Sequence, residues 1–171
     1  PHPAAGALPY ALIDGCPRTC PYSKQLAGIG VFRRHDQHRK QAMNIRHTPE
    51  TVAAPFGPYS HAVEVPEGSR LLYISGEVGA LADGTVPAGI EAQAEACWQN
   101  IIAILADAGM GVDDLVKITT YLVEPKDLAA AGAARARHFG AARPGSATII
   151  VKALVVPEWL IEIEAVAAAK H

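Results

Sequence analysis

Between Ile90 and Val123 the spacing of apolar residues changes once, and that change restricts the fold more than any other feature of the chain. Ile90, Ala94, Cys97, Ile101, Leu105 and Ala108 recur at three-to-four spacing up to Gly109, which is the period of one helix face. A glycine just past the last periodic residue is a C-cap signal, so the pattern predicts an amphipathic helix of about five turns. Leu115–Val123 (LVKITTYLV) is instead β-branched and aromatic, a strand composition, and it stops before Glu124-Pro125. A chain that supplies both kinds of apolar surface has to pack helix on sheet.

The flanking segments extend this pattern. Pro125 suits the first turn of a second helix, along which Leu128, Ala131, Arg135 and Phe139 fall at helical spacing until Gly140. His61–Val65 and Leu71–Ser75 are strand-like runs separated by Pro66-Glu67-Gly68, a hairpin signal. Ala147–Leu154 and Leu160–Ala167 give two closing strands, and the order β-β-α-β-α-β-β predicts an α+β layer with a mixed sheet and helices on one face. In the last strand Leu160, Glu162, Glu164 and Val166 alternate with a fully apolar set. In the strand before it Thr148, Ile150, Lys152 and Leu154 alternate with Ala147, Ile149, Val151 and Ala153. A mixed face carrying Ile150, Leu154 and Leu160 is too apolar for water, which predicts association of subunits across it.

With 171 residues, half of them hydrophobic, the chain can bury one core and is expected to form one domain. Residues 1–42 differ from the rest. They hold five prolines, no sustained period and six Lys/Arg against two acids, whereas residues 43–171 hold nine against fifteen. The first segment is expected to be a disordered extension or an upstream-start segment, and residues 43–171 a single domain beginning at Met43. An acidic main body argues against a phosphate backbone as partner. No apolar run approaches the roughly 18 residues of a membrane span. Three cysteines, two of them in the leader, and seven scattered histidines without an HExxH pattern give no metal motif and fit a reducing, cytoplasmic setting. Cys97 falls with the apolar helix positions and is expected to be a buried small hydrophobe. His61 and His138 are expected to be ordinary surface or core residues.

The stretches GPYSHAV (57–63), LYISGEV (72–78), IEAQAEACWQNIIAILADAGM (90–110), DDLVKITTYL (113–122) and IEIEAVA (161–167) together resemble the RidA/YjgF family, in order and across essentially all of residues 44–170. The resemblance implies a chorismate-mutase-like fold and a homotrimer whose sheets line a central barrel, with small-metabolite pockets between neighbouring subunits. It also implies a hydrolytic deaminase of 2-imino or enamine acids that releases 2-oxo acid and ammonia without a cofactor. Carried over by position, it puts Glu162 and Tyr59 in catalytic places and Ser75, Gly76, Gly132, Pro144, Ser146 and Thr148 in ligand-binding ones. Ribonuclease activity, also attributed to some members, fits poorly with an acidic body lacking a paired His/Lys site.

This chain departs from the family pattern at three of these positions. In RPGSATIIVKAL (143–154), Ser146 stands where the family has an arginine, Gly132 where deaminating members have an asparagine, and Thr148 where a cysteine is common. A guanidinium can grip a carboxylate through two charge-assisted hydrogen bonds, whereas a serine offers one neutral bond. At about 1.5–3 kcal/mol per charged bond, with partial replacement, the loss is about 3 kcal/mol, or roughly a hundredfold. Three outcomes are open: a pocket that binds a metabolite without deaminating it, hydrolysis of a different imine with Glu162 activating water and Tyr59 positioning substrate, or replacement of the cation by Arg143 or Arg135. Each site residue also has a plainer role available. Tyr59 can be a turn aromatic, Glu162 a solvated residue or the cross-strand partner of Lys152, and Ser146 and Thr148 strand-entry hydroxyls.

Overall fold

The computed structural model describes residues 44–170, so the expectation for residues 1–42 lies outside the described part. Within it, β1 (Ile45–His47), β2 (Ala62–Glu64) and β3 (Arg70–Val78) are followed by α1 (Ile90–Asp107), β4 (Leu115–Leu122), α2 (Leu128–Phe139), β5 (Gly145–Ile150) and β6 (Ile161–Ala169). The family of layers is as expected: a mixed sheet of order β3-β6-β4-β5 packs one face against α1 and α2.

The predicted helix stop is built as expected. Gly109 takes the left-handed backbone (φ 68°), its N–H donates to Ala106 O at 3.0 Å, and the Met110 N–H donates to Leu105 O at 2.8 Å. This paired return of two amides to the last turn is a Schellman cap, and only glycine takes the left-handed conformation without strain. Pro125–Asp127 forms a single 3-10 turn that leads into α2.

Three sequence expectations change. The runs around residues 62–64 and 70–78 do not form a hairpin with each other: β2 pairs with β1, and β3 pairs antiparallel with β6. A local turn signal lost to a long-range partner, because β6 offers β3 a buried apolar face along almost its whole length. The fifth strand begins at Gly145 and ends at Ile150, two residues earlier and four residues shorter at its end than the periodicity suggested. Lys152 therefore lies beyond the ladder, and the register opposite Glu162 is occupied by Val78 and Tyr121.

Register also corrects the two faces. Ser146, Thr148 and Ile150 pair with Ile118, Thr120 and Leu122, which in turn pair with Ala165, Ile163 and Ile161. Directly paired residues project to one side. Ser146, Thr148 and Ile150 thus share the helix-covered side, while Ile149 pairs with Tyr121 and through it with Glu162 on the open side. The apolar residues of the open face are Leu71, Tyr73, Ile149 and Val166, rather than Ile150, Leu154 and Leu160.

Between the layers, Trp98, Ile101 and Leu105 from α1 meet Ile118, Leu122, Ile161 and Ile163 from the sheet, all fully buried. Gln93, buried at the start of α1, donates to Pro87 O and Glu158 O (3.1 and 2.9 Å) and accepts from the Leu160 N–H at 2.9 Å. Its fully used amide ties the helix layer to the point where the chain enters β6.

Candidate functional site

A cavity of about 490 Å³ opens between α2, the loop at residues 56–59 and the helix-covered side of β4, β5 and β6. The loop is docked by backbone: the Ser60 N–H donates to Pro144 O at 3.2 Å, and Ser60 forms a parallel bridge with Gly145. This contact sets Tyr59 beside the first residues of β5. The Tyr59 hydroxyl accepts from the Phe56 N–H at 3.4 Å, closing the loop on itself.

Tyr59, Gly132, Ser146 and Thr148 all line the cavity. Pro144 is fully buried and does not line it; its carbonyl holds the loop instead. Ser75 and Gly76 lie in β3 at a register shift between Ile74 and Glu77, and Glu162 lies on the open side of the sheet. A Cβ at Gly76 would collide with the Glu162 carboxylate, so that carboxylate rests directly on the β3 backbone. The eight positions therefore form two groups on opposite sides of one sheet, and no single copy brings Ser146 and Glu162 into one cleft.

Of the two candidate cations, Arg135 reaches the cavity and Arg143 does not. Arg135, the eighth residue of α2, extends its guanidinium into the cavity wall. Its Nη1 donates to Ser146 Oγ at 3.1 Å and its Nη2 to Pro58 O at 2.8 Å, while its Cζ sits 4.7 Å from the centre of the Phe139 ring. Its Nε is buried with no hydrogen-bond partner among the described residues. Burial, and secondarily the neighbouring Arg143 charge, push its pKa down to about 10. Arg143 itself donates to Gly140 O and Ala142 O and is absent from the cavity wall.

Sequence reasoning missed several wall residues, Thr120 and Trp98 among them. Thr120 stands opposite Thr148 on β4, where a strand hydroxyl gives no signal of its surroundings. Trp98, 1 % exposed, looks like core by spacing, yet it lines the cavity and its indole Nε1 has no partner among the described residues. It meets Phe139 edge-on with ring centres 4.7 Å apart, so Trp98, Phe139 and Arg135 form one contiguous cluster.

Other reactive groups are accounted for. Cys97 is buried, its thiol donates to Glu77 O at 3.3 Å, and burial, then the Glu77 and Glu162 charges, push its pKa up to about 12. That thiol is not a nucleophile at neutral pH. His61 reaches Ala53 O and meets the Tyr59 ring edge-on at 6.1 Å, and His138 reaches Glu95; neither lines the cavity. Among the described residues no group of three or more His, Cys, Asp or Glu could hold a metal ion. No helix among them is long and apolar enough to cross a membrane.

Comparison with known proteins agrees with this architecture. The family model described as Endoribonuclease L-PSP matches residues 50–169. A 2-iminobutanoate/2-iminopropanoate deaminase of Mus musculus is 35 % identical over 127 residues, covering 72 % of this chain and 91 % of the mouse protein. The crystal structure of YyfB from Yersinia pestis, a Rid family protein of unknown function, superposes with a TM-score of 0.67 at 37 % identity, covering 75 % of this chain and all of that one. E. coli TdcF, solved with bound serine, superposes with a TM-score of 0.56 at 28 % identity, covering 68 % of this chain and 91 % of that one. From the sheet order, the matched residues and these relatives, the chain belongs to the RidA/YjgF family.

Proposed function

We propose that this protein hydrolyses 2-imino acids, or their enamine tautomers, to 2-oxo acids and ammonia, with Arg135 holding the substrate carboxylate from α2. One observation carries this reading. The Arg135 guanidinium stands in a cavity wall with a buried free Nε, a second cation nearby, and no carboxylate within ion-pair distance among the described residues. Buried charges are normally paired, and an anionic ligand would supply the missing partner. Ser146 orients the guanidinium rather than replacing it, and a carboxylate entering the cavity would meet the edge of the guanidinium that lines it. The mouse relative is a deaminase of short 2-imino acids, and TdcF holds serine, which also carries a carboxylate beside the nitrogen-bearing carbon.

The working unit in this reading is a homotrimer. Tyr73 is 74 % exposed and Ile149 43 % exposed on the open side of the sheet, surface that a neighbouring copy would cover. The same packing would carry Glu162 of one copy to the cavity of the next. There its carboxylate takes a proton from water as the oxygen adds to the imine carbon and the C=N π pair moves to nitrogen. Glu162 returns that proton to nitrogen, which gives the neutral carbinolamine. Glu162 then takes the hydroxyl proton and passes it to the same nitrogen as the C–N bond breaks, so the oxygen becomes the keto oxygen of the 2-oxo acid, ammonia leaves and Glu162 is again a carboxylate. Tyr59 and Thr148 line the space where the reacting carbon would sit.

A second reading follows from Glu162 lying outside the cavity of a single copy: without that assembly the cavity binds small carboxylates and does no chemistry. The test generates imines in place with an amino-acid oxidase and measures 2-oxo acid and ammonia release. The expected result is acceleration over buffer that falls about a hundredfold in Arg135→Met. No acceleration with any imine, together with a carboxylate-induced rise in melting temperature, would favour the binding reading.

A further inference from the structure

We infer that the cavity selects 2-imino acids with a large apolar side chain, of leucine or phenylalanine size, and that Gly132 sets this preference; the inference rests on the carboxylate being held by Arg135. Leu128, Ala131, Gly132 and Arg135 lie at i, i+3, i+4 and i+7 of α2 and share one helix face, and all four line the cavity. The charge therefore sits at one end of a row whose next two members are the smallest side chains available. A Cβ built on Gly132 meets no atom within 4 Å, so the space beside the guanidinium is open. Beyond it the wall is apolar, with Ile161 and Ile163 from β6 and Trp98 from α1, while Leu128 from α2 and Phe56 from the loop, 53 % and 97 % exposed, stand at its open rim.

Size points the same way. At about 30 Å³ per water-sized group, a cavity of about 490 Å³ has room for about fifteen non-hydrogen atoms, far more than an alanine-derived imine contains. A small substrate gripped by Arg135 would leave the apolar wall wet. A phenyl or isobutyl group would cover it, and each added carbon buried there contributes to discrimination.

The experiment compares imines made in place from phenylalanine, leucine and alanine, using the full chain and its Gly132→Leu and Gly132→Ala variants. The expected kcat/KM for the two large imines exceeds that for the alanine imine about tenfold or more. Gly132→Leu should lower the large-substrate values about tenfold more than the alanine-imine value, and Gly132→Ala should shift the same ratio in the same direction by less. Replacing a helical glycine raises helix propensity, and an unchanged or raised melting temperature confirms folding. Equal rates for the three imines, or a uniform fall in Gly132→Leu, would overturn the inference while leaving the deaminase reading intact. If no imine is hydrolysed, that reading falls, and melting shifts with phenylpyruvate and pyruvate decide the pocket alone. A larger shift with phenylpyruvate that Gly132→Leu abolishes supports the selection, and equal shifts overturn it.

Discussion

The two sides of the central sheet are built from the same four strands and carry opposite kinds of chemistry. The helix-covered side holds hydroxyls and one cation around a half-open cavity: Ser146, Thr148, Thr120, Tyr59 and Arg135. The open side holds Glu162 pressed on the β3 backbone at Gly76, and Glu164 accepting from the Tyr121 hydroxyl at 3.1 Å, among exposed Leu71, Tyr73 and Ile149. The Arg135 guanidinium and the Glu162 carboxylate are thus kept apart within one copy. Separation of this kind keeps the carboxylate from neutralising the guanidinium. It also means that chemistry needing both must be assembled from more than one copy.

The largest expected effect tests this division directly. Glu162→Gln should lower deaminase turnover by about 10²- to 10⁴-fold, the usual range for a general base, with the oligomer unchanged by light scattering. Mixed oligomers of Glu162→Gln and Arg135→Met should regain activity that neither variant has alone. Absence of any regain, with both variants oligomeric, would break the comparison between the two sides. Next in size, Arg135→Met should cost about a hundredfold in kcat/KM, Arg135→Lys less, and Arg135→Ser with Ser146→Arg should recover part of the loss. Because the arginine is charged and uncompensated, its removal should lower the melting temperature by only a few degrees.

Two smaller effects concern the helix layer itself. Gln93→Leu leaves two carbonyls and the Leu160 N–H without their partners and should cost about 2 kcal/mol, roughly 4–8 °C in melting temperature. Since Gln93 fixes the entry to β6, activity should fall as well. The smallest effect is at Glu95, which accepts from Arg137 at 2.7 and 3.1 Å and from His138 at 2.8 Å, linking α1 to α2. The Arg137 hydrogen bond, opposed by some burial and aided by His138, holds this carboxyl below its ordinary 4.5. Its stabilisation is therefore present above pH 4.5 and is lost as pH falls below that value. Glu95→Gln should lower the melting temperature by a few degrees at most at neutral pH and by nothing once the wild-type carboxyl is protonated.

The elements and their layers were legible because each rests on a local period. The 3.6-residue spacing from Ile90 to Ala108, the Gly109 stop and the composition of Leu115–Val123 need no distant partner to be recognised. Pairing was not legible. The hairpin suggested by Pro66-Glu67-Gly68 failed because β3 has its partner about ninety residues away, with Tyr73 opposite Val166. The site shows the same limit. Family resemblance located Tyr59, Gly132, Ser146 and Thr148, which the cavity brings together, and Glu162, which it does not. Arg135 stood only as one of two candidate cations, since its reach to Ser146 depends on how α2 lies over β5, and Trp98 carried no mark separating a cavity wall from a core.

The parallel pairing of β4 with β5 through α2 has one more consequence. In such a crossover the helix must lie across the strand it leads into, so its inner face and the first residues of that strand look onto the same volume. Arg135 and Ser146 are eleven residues apart in the chain and 3.1 Å apart at their tips. The unit therefore offers two covalent addresses for a single point charge, one on the helix and one on the strand. A positive potential can pass from one to the other while the fold and the space it acts on stay the same, and what is inherited is then the field at a place rather than the identity of a residue.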